Sequence, residues 1–288
     1  VNIHTIKGAI PEARPIAVAG LTESEYRDLP GLTQSEINLF CRSPRLYKLN
    51  AREESDAMRM GTLLHSAVLL KRVDCYVRPA FYGPEGKIWN NNAKECRAWN
   101  EAHSDKPILS EDEKRDLDCA AGIVGMTDGV GYLLQNGEAE VALLCAAGKG
   151  RIDYIVDRGD YLDVVDLKTT RDGRFRAMQR TIHERGYHIQ AAWYRRLLRE
   201  IDPRPIRYRI IAVELAPVVR AQAWTLSERA INLGDERIDW ALERMEECQA
   251  TGNWPAWHNH DMGPDGLIDL PEYAYPEPEI TGMTEVQA

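Results

Sequence analysis

The hydrophobic positions of this chain follow a helical spacing up to about residue 138 and a mixed one after it. GLTQSEINLFCRSPRLYKLN reads as helix, opened by Thr33 with Glu36 three residues on, a capping box, and divided at Ser43-Pro44, where proline suits the first position of a second helix. DAMRMGTLLHSAVLLK places Met60, Leu63, Leu64, Ala67 and Val68 along one helical face, with His65 inside the segment. Residues 74–105 are mixed, with a Gly/Pro loop at FYGPEGK and a polar helix around NNAKECRAWNEAH. Ser110 and Glu113 form a second capping box, opening a helix expected to run to about Gly125. From Glu138 the runs EAEVALLCA, RIDYIVD and YLDVVDLKT are short, β-rich and separated by glycine-containing turns, as in a meander. Two helical patterns follow, RFRAMQRTIHERG and YHIQAAWYRRLLREI, then strands RYRIIAVEL and VVRAQAWTL, and a long helix ended by Gly252.

This order predicts an irregular arm over residues 1–30, one domain over 31–252 with its core at about 138–225, and a Pro-rich tail over 253–288 anchored by Trp254 and Trp257. A hydrophobic share of 44% without any run near the ~18 residues a membrane helix needs predicts a soluble protein. The first residues lack the basic start and apolar run of a secretory leader, which points to the cytoplasm. Six scattered cysteines with no CxxC pair argue for reduced thiols rather than a zinc ribbon or a disulfide scaffold. A formal charge of -9 excludes coating nucleic acid through bulk charge, but a local basic groove remains open to Arg171, Arg174, Arg176, Arg180 and Arg185.

One stretch, GRIDYIVDRGDYLDVVDLKTT, breaks its own pattern by setting Asp153, Asp166 and Lys168 among Ile, Tyr, Val and Leu. Alternation puts Asp166 and Lys168 on one strand face. A hairpin turning at Arg158-Gly159, with Asp157 opposite Asp160, sets Asp153 opposite Val164 and brings it to the same face. Two carboxylates on a half-buried face are costly unless a cation such as Mg²⁺ lies between them. The plain alternative is a solvated face, as expected for Asp157, Asp160 and Asp163; Gln190 and Tyr194, one helical turn apart, can likewise be ordinary surface.

The ordered set GTLLH, EAEVAL, RIDYIVD, VVDLKTT and GYHIQAAWY resembles the PD-(D/E)xK nucleases of the RecB type, and among them the RecE-like (exonuclease VIII) domain of phages and prophages. The Ser-Pro-x-x-Tyr of the upstream helix fits the same family, and the resemblance covers about residues 33–250. It implies an α/β fold with a central mixed β-sheet flanked by helices and an N-terminal helical region. It also implies metal binding by Asp153, Asp166, the carbonyl of Leu167 and His65, a catalytic Lys168, and Gln190 with Tyr194 near the DNA. Glu140 resembles the acidic residue of the first strand, with Glu138 competing for that place, and Arg171, Arg174 and Arg176 are candidate DNA contacts.

The activity so implied is Mg²⁺-dependent digestion of double-stranded DNA ends, with Mn²⁺ as a substitute. Its direction would be 5′→3′, leaving 3′ overhangs, within a homo-oligomeric ring that serves a single-strand annealing partner in phage-type recombination. An endonuclease of this fold and a non-catalytic DNA-binding or assembly module are the alternatives. No iron-sulfur cluster is expected, because only Cys248 follows the motifs. WHNHD, with His258, His260 and Asp261, reads as polar tail rather than an HNH nuclease.

Overall fold

The computed structural model describes residues 1, 3–5, 15–51, 56–215 and 218–256. In chain order these form strands β1 (Ile3–Thr5) and β2 (Ile16–Ala19), then helices α1 (Glu23–Asp28), α2 (Gln34–Arg42), α3 (Pro44–Lys48) and α4 (Asp56–Leu69). A small excursion follows: β3 (Tyr76–Val77), β4 (Phe81–Tyr82), β5 (Lys87–Ile88), α5 (Lys94–Ala102) and β6 (Ile108–Leu109). After α6 (Glu111–Met126) come β7 (Glu138–Leu144), β8 (Lys149–Asp157) and β9 (Leu162–Thr170). The described residues end with α7 (Phe175–Glu184), α8 (Tyr187–Ile201), β10 (Ile206–Glu214), β11 (Arg220–Thr225) and α9 (Glu228–Thr251).

Seven strands make one sheet in the order β1-β2-β7-β8-β9-β10-β11. The meander β7–β9 is antiparallel, whereas β10 returns parallel to β9 after the α7–α8 crossover. Both capping boxes form as expected: Thr33 and Glu36 open α2, Ser110 and Glu113 open α6, and Ser43 caps α3 with Pro44 in its first turn. Satisfying these orphan amides is what lets polar-rich segments start helices at defined residues.

The sheet is covered on both faces. Ile152, Val164, Ile210 and Ala212 pack with Ile189, Trp193 and Leu197 of α8 and Ile231 and Ile238 of α9. On the other face, Tyr154, Val165, Leu167 and Ile211 pack with Leu63, Leu64 and Val68 of α4 and Leu117 and Val124 of α6. β8 and β9 are therefore apolar on both faces for most of their length, and their polar residues need specific partners.

Three expectations are corrected. Residues 1–30 are not wholly irregular: Ile16–Ala19 is a fully buried strand paired with β7, and α1 follows with its own Thr22–Glu25 capping box. Four consecutive apolar residues carry no alternation, which hid that strand. The β8–β9 hairpin turns one residue later than expected, with the Arg158 amide donating to the Tyr161 carbonyl at 3.0 Å and Asp157 opposite Leu162. Gly159 takes φ +84° at the tip, a conformation glycine adopts freely, while Arg158 cannot do so without strain. Asp163 is fully buried rather than solvated, held by the Nε atoms of Arg158 and Arg209, each at 3.0 Å.

Trp254, just past the end of α9, stacks on Tyr47 with ring centroids 5.9 Å apart; the tail it was expected to anchor lies, from residue 257 on, outside the described residues. Trp257, His258, His260 and Asp261 lie outside the described residues. All six cysteines are free, and among the described residues no helix is long and apolar enough to cross a membrane.

Candidate active site

The site forms where the β8–β9 ladder parts. Its last paired residues are Tyr154 and Val165, so the register continued by one step sets Asp153 against Asp166. That is closer than the diagonal relation expected from the turn at Arg158-Gly159. Beyond this point the backbone amide of Leu167 donates to Asp153 Oδ2 at 2.8 Å, and its carbonyl accepts from His65 Nε2 at 2.8 Å. A residue whose amide and carbonyl both serve side chains has left the ladder on that edge.

The neighbouring pair β7–β8 is disturbed at the same level. Glu140 has φ +52°, in the left-handed region, where a glutamate is strained. Residues two apart on a regular strand share a face, yet Ala139 packs towards α4 and α6 while Val141 packs towards α8. Tyr154 and Ile152 on β8 divide in the same way. The sheet thus turns over at Glu140 and Asp153, which aims both carboxylates into the gap. Side chains from the α4 layer and the α8 layer can then meet there.

From the α4 side comes His65. Its Nε2 lies 3.1 Å from Asp153 Oδ2 and its Nδ1 3.7 Å from Glu140 Oε1. Burial works against protonating this imidazole, but the Asp153 carboxylate outweighs it and pushes the pKa up to about 10. Burial likewise opposes ionisation of Asp153, and the same His65 overcomes it, holding the carboxyl below its usual range. Glu140 rather than Glu138 occupies the site; it is fixed by Arg151 Nε at 2.9 Å, whose guanidinium also meets Glu23 on α1.

From the α8 side come Gln190, Tyr194 and Tyr187. Asp166 is only 1% exposed, and Gln190 Nε2 donates to its Oδ1 at 2.7 Å. Lys168 Nζ also donates to Oδ1 at 2.8 Å and lies 2.8 Å from Oδ2, yet Oδ2 has no hydrogen bond of acceptable geometry. Burial pushes the Asp166 carboxyl up, against the pull of Lys168, and the nearby Asp153 charge adds to the rise. For Lys168, burial favours the neutral amine, but Asp166 and Asp153 outweigh it and keep the ammonium charged. That ammonium sits 5.0 Å from the ring centre of Tyr187.

Gln190 and Tyr194 are buried rather than surface residues. The Tyr194 hydroxyl donates to the Arg151 carbonyl at 2.6 Å, which ties α8 to β8 beside Asp153. The structure therefore brings together Asp153, Asp166, Leu167, Lys168, His65, Glu140, Gln190 and Tyr194. It does not bring Arg171, Arg174 or Arg176 into the cluster: all three are exposed, and Arg174 is paired with Asp172. Sequence reasoning missed Tyr187 and Arg151. An aromatic directly after Gly186, at the start of the helix carrying Gln190, was the only signal for Tyr187.

Among the described residues, no three His, Cys, Asp or Glu side chains stand together so as to hold a metal ion by themselves. The candidate donors are instead two carboxylates on adjacent strands and a backbone carbonyl; His65, kept an imidazolium by Asp153, must shed its proton to join them. An oxygen-rich set fits a hard divalent cation better than zinc; within it Asp166 Oδ2 is buried 2.8 Å from the Lys168 ammonium, with the Tyr208 hydroxyl also directed at Asp166.

A mixed central sheet flanked by helices, carrying an aspartate on one strand and Asp-x-Lys on the next, defines a PD-(D/E)xK-like nuclease fold. A family model described as a PDDEXK-like domain of unknown function (DUF3799) matches residues 35–260, and the chain belongs to that family. Among solved structures, a "putative exonuclease" from Eubacterium rectale superposes with a TM-score of 0.54 at 13% identity, over 88% of this chain and 96% of that one. At that identity the likeness concerns the fold. SSO0001 matches at 19% identity over 44% of this chain and 58% of that one, with a TM-score of 0.24, too low to carry an argument. No curated protein matches the chain.

Proposed function

We propose that the protein is a Mg²⁺-dependent nuclease that degrades double-stranded DNA from its ends, in the manner of the RecE-like exonucleases its motifs resemble. The observation that carries this reading is the meeting of Asp153, Asp166, the Leu167 carbonyl and His65 at the parting of β8 and β9, with Lys168 beside them. Attack at ends rather than internal cutting is supported by the fold shared with a protein described as a "putative exonuclease". Digestion from the 5′ end to leave a 3′ single strand, a homo-oligomeric ring, a single-strand annealing partner and a cytoplasmic, phage or prophage setting complete the proposal.

Asp153, Asp166 and the Leu167 carbonyl would hold the cation, with His65 and Glu140 at its rim. When bound, Mg²⁺ or Mn²⁺ supplies charge relief at the phosphoryl oxygens and a more acidic attacking water. The chain's own groups do the rest. Lys168, held as an ammonium by Asp166 and Asp153, would orient or activate the attacking water and offset negative charge building on the phosphate. Gln190 fixes one oxygen of Asp166, and Tyr187 limits where the lysine head can move. His65 keeps Asp153 ionised.

Linear duplexes labelled at either the 5′ or the 3′ end, incubated with the protein and Mg²⁺ beside a covalently closed circle, test the reading. The 5′ label is expected to be released first and the circle to survive. Circle cutting at the rate of linear digestion would replace it with an endonuclease, and prior release of the 3′ label would reverse the polarity.

A further inference from the structure

Phe175, the first residue of α7, is 59% exposed, and the sheet register ties it to the catalytic cluster. Asp166 pairs with Ile210 on β10, and Ile210 pairs with Trp224 on β11. Paired residues share a sheet face, so Trp224 lies on the Asp166 face two strands away, about 10 Å at the usual strand spacing. The Phe175 ring packs on Trp224 with centroids 5.8 Å apart and planes at 50°. This support is itself fixed: the Trp224 indole donates to the Gly173 carbonyl at 3.2 Å, and the Gly173 amide donates to Glu214 at 2.6 Å.

A single exposed apolar side chain is ordinary. The surroundings of Phe175 are not. Arg171, Arg174 and Arg176 flank it in sequence, and Arg180 and His183 continue the exposed face of α7, in a chain whose formal charge is -9. Asp172 neutralises part of this charge through Arg174, Arg180 has an interaction of its own, and Glu184 closes the far end of the helix. The remaining arrangement is an aromatic face held against its own support, with cations on either side. Arginines suit a phosphate backbone, and a phenyl ring offers any base a π-face without asking for a particular hydrogen-bond pattern. Other exposed apolar residues, Phe81 and Ile88, face each other on the β4–β5 hairpin, which belongs to a separate two-stranded sheet and has no register link to Asp166.

We propose that Phe175 is a stacking platform for the nucleobases of single-stranded DNA passing between the catalytic cluster and the arginines of α7. The inference rests on the nuclease reading above and deepens it. Binding is measured without hydrolysis, in EDTA, by fluorescence anisotropy of a labelled oligo-dT and of the same backbone with abasic sites. Phe175→Ala is expected to weaken binding of oligo-dT about tenfold, as the loss of one base stack should. Phe175→Trp should restore it, and the two variants should bind the abasic strand alike. Unchanged affinity in Phe175→Ala, or an equal loss on the abasic strand, would overturn the proposal. Wild-type hydrolysis of linear duplex in Mg²⁺ is scored separately: its absence would refute the nuclease reading, whereas hydrolysis without a Phe175 effect on binding would refute only the stacking role.

Discussion

Asp166→Ala and Lys168→Ala should each lower the rate of DNA hydrolysis by roughly a thousandfold or more, the scale on which pre-organised charge at a reacting centre is worth. Their effects on stability should part company. Asp166 is buried, and its carboxyl titrates above the usual range, so the ionised form is a cost to the fold at neutral pH. The sign follows from linkage: with a raised folded pKa, the favourable contribution is complete below the unfolded value and is lost as pH rises through the folded one. Removing Asp166 relieves that cost but strips Lys168 and Gln190 of their shared partner, so the melting temperature of Asp166→Ala near pH 7 should fall less than that of Lys168→Ala. Lys168→Ala removes the cation that the buried Asp166 leans on and should lower it more. Circular-dichroism melts alongside the nuclease assay check both halves. Full hydrolysis by either folded variant would take Asp166 and Lys168 out of the mechanism.

The second large effect is expected far from the carboxylates of the proposed cation site. Gly234 on α9 faces α8, and a Cβ there would stand 2.2 Å from the His188 carbonyl oxygen and 2.9 Å from Ala192 Cβ. Those two residues bracket Gln190. Replacing a helical glycine by alanine gains up to about 1 kcal/mol in propensity. Overlap with rigid backbone costs more than that, so Gly234→Ala should be net destabilising by about 2 kcal/mol, or about 4–8 °C in melting temperature. It should also slow hydrolysis, because the turn of α8 that presents Gln190 to Asp166 must move. Gly122 on α6 provides the matched comparison, since nothing lies within 4 Å of its virtual Cβ. Gly122→Ala should stabilise, by about 0.5–1 kcal/mol. Equal responses at the two positions would mean that helix packing does not set the height of Gln190.

Much of this was legible in the chain because it rests on local rules. Thr33–Glu36, Ser110–Glu113 and Ser43-Pro44 mark helix starts by chemistry that acts over three residues, and each forms where expected. The meander was legible from turn residues. The convergence of Asp153 with Asp166 was argued from an even-length turn; the tip falls at Gly159-Asp160 and keeps that parity, but alternation breaks at Asp153, and it is this turnover that aims Asp153 at Asp166.

What escaped is non-local. A glutamate at positive φ has no signature in sequence, yet the turnover of the sheet at Glu140 decides between Glu138 and Glu140 and aims Asp153 into the gap. The parallel return of β10 aligns Asp166, Ile210 and Trp224 through pairings formed only in the folded chain. Burial of Asp163 depends on Arg209, 46 residues away along the chain.

The central claim is that the polar intrusions into two apolar strands are one cation-dependent hydrolytic site. The most direct measurement is release of nucleotides from a linear duplex by a single wild-type preparation in EDTA and after Mg²⁺ is returned in excess, with Asp153→Asn run beside it. No release in EDTA, full release on adding Mg²⁺ and none from Asp153→Asn is the result predicted. Release that persists in EDTA, or undiminished release by Asp153→Asn, would contradict it.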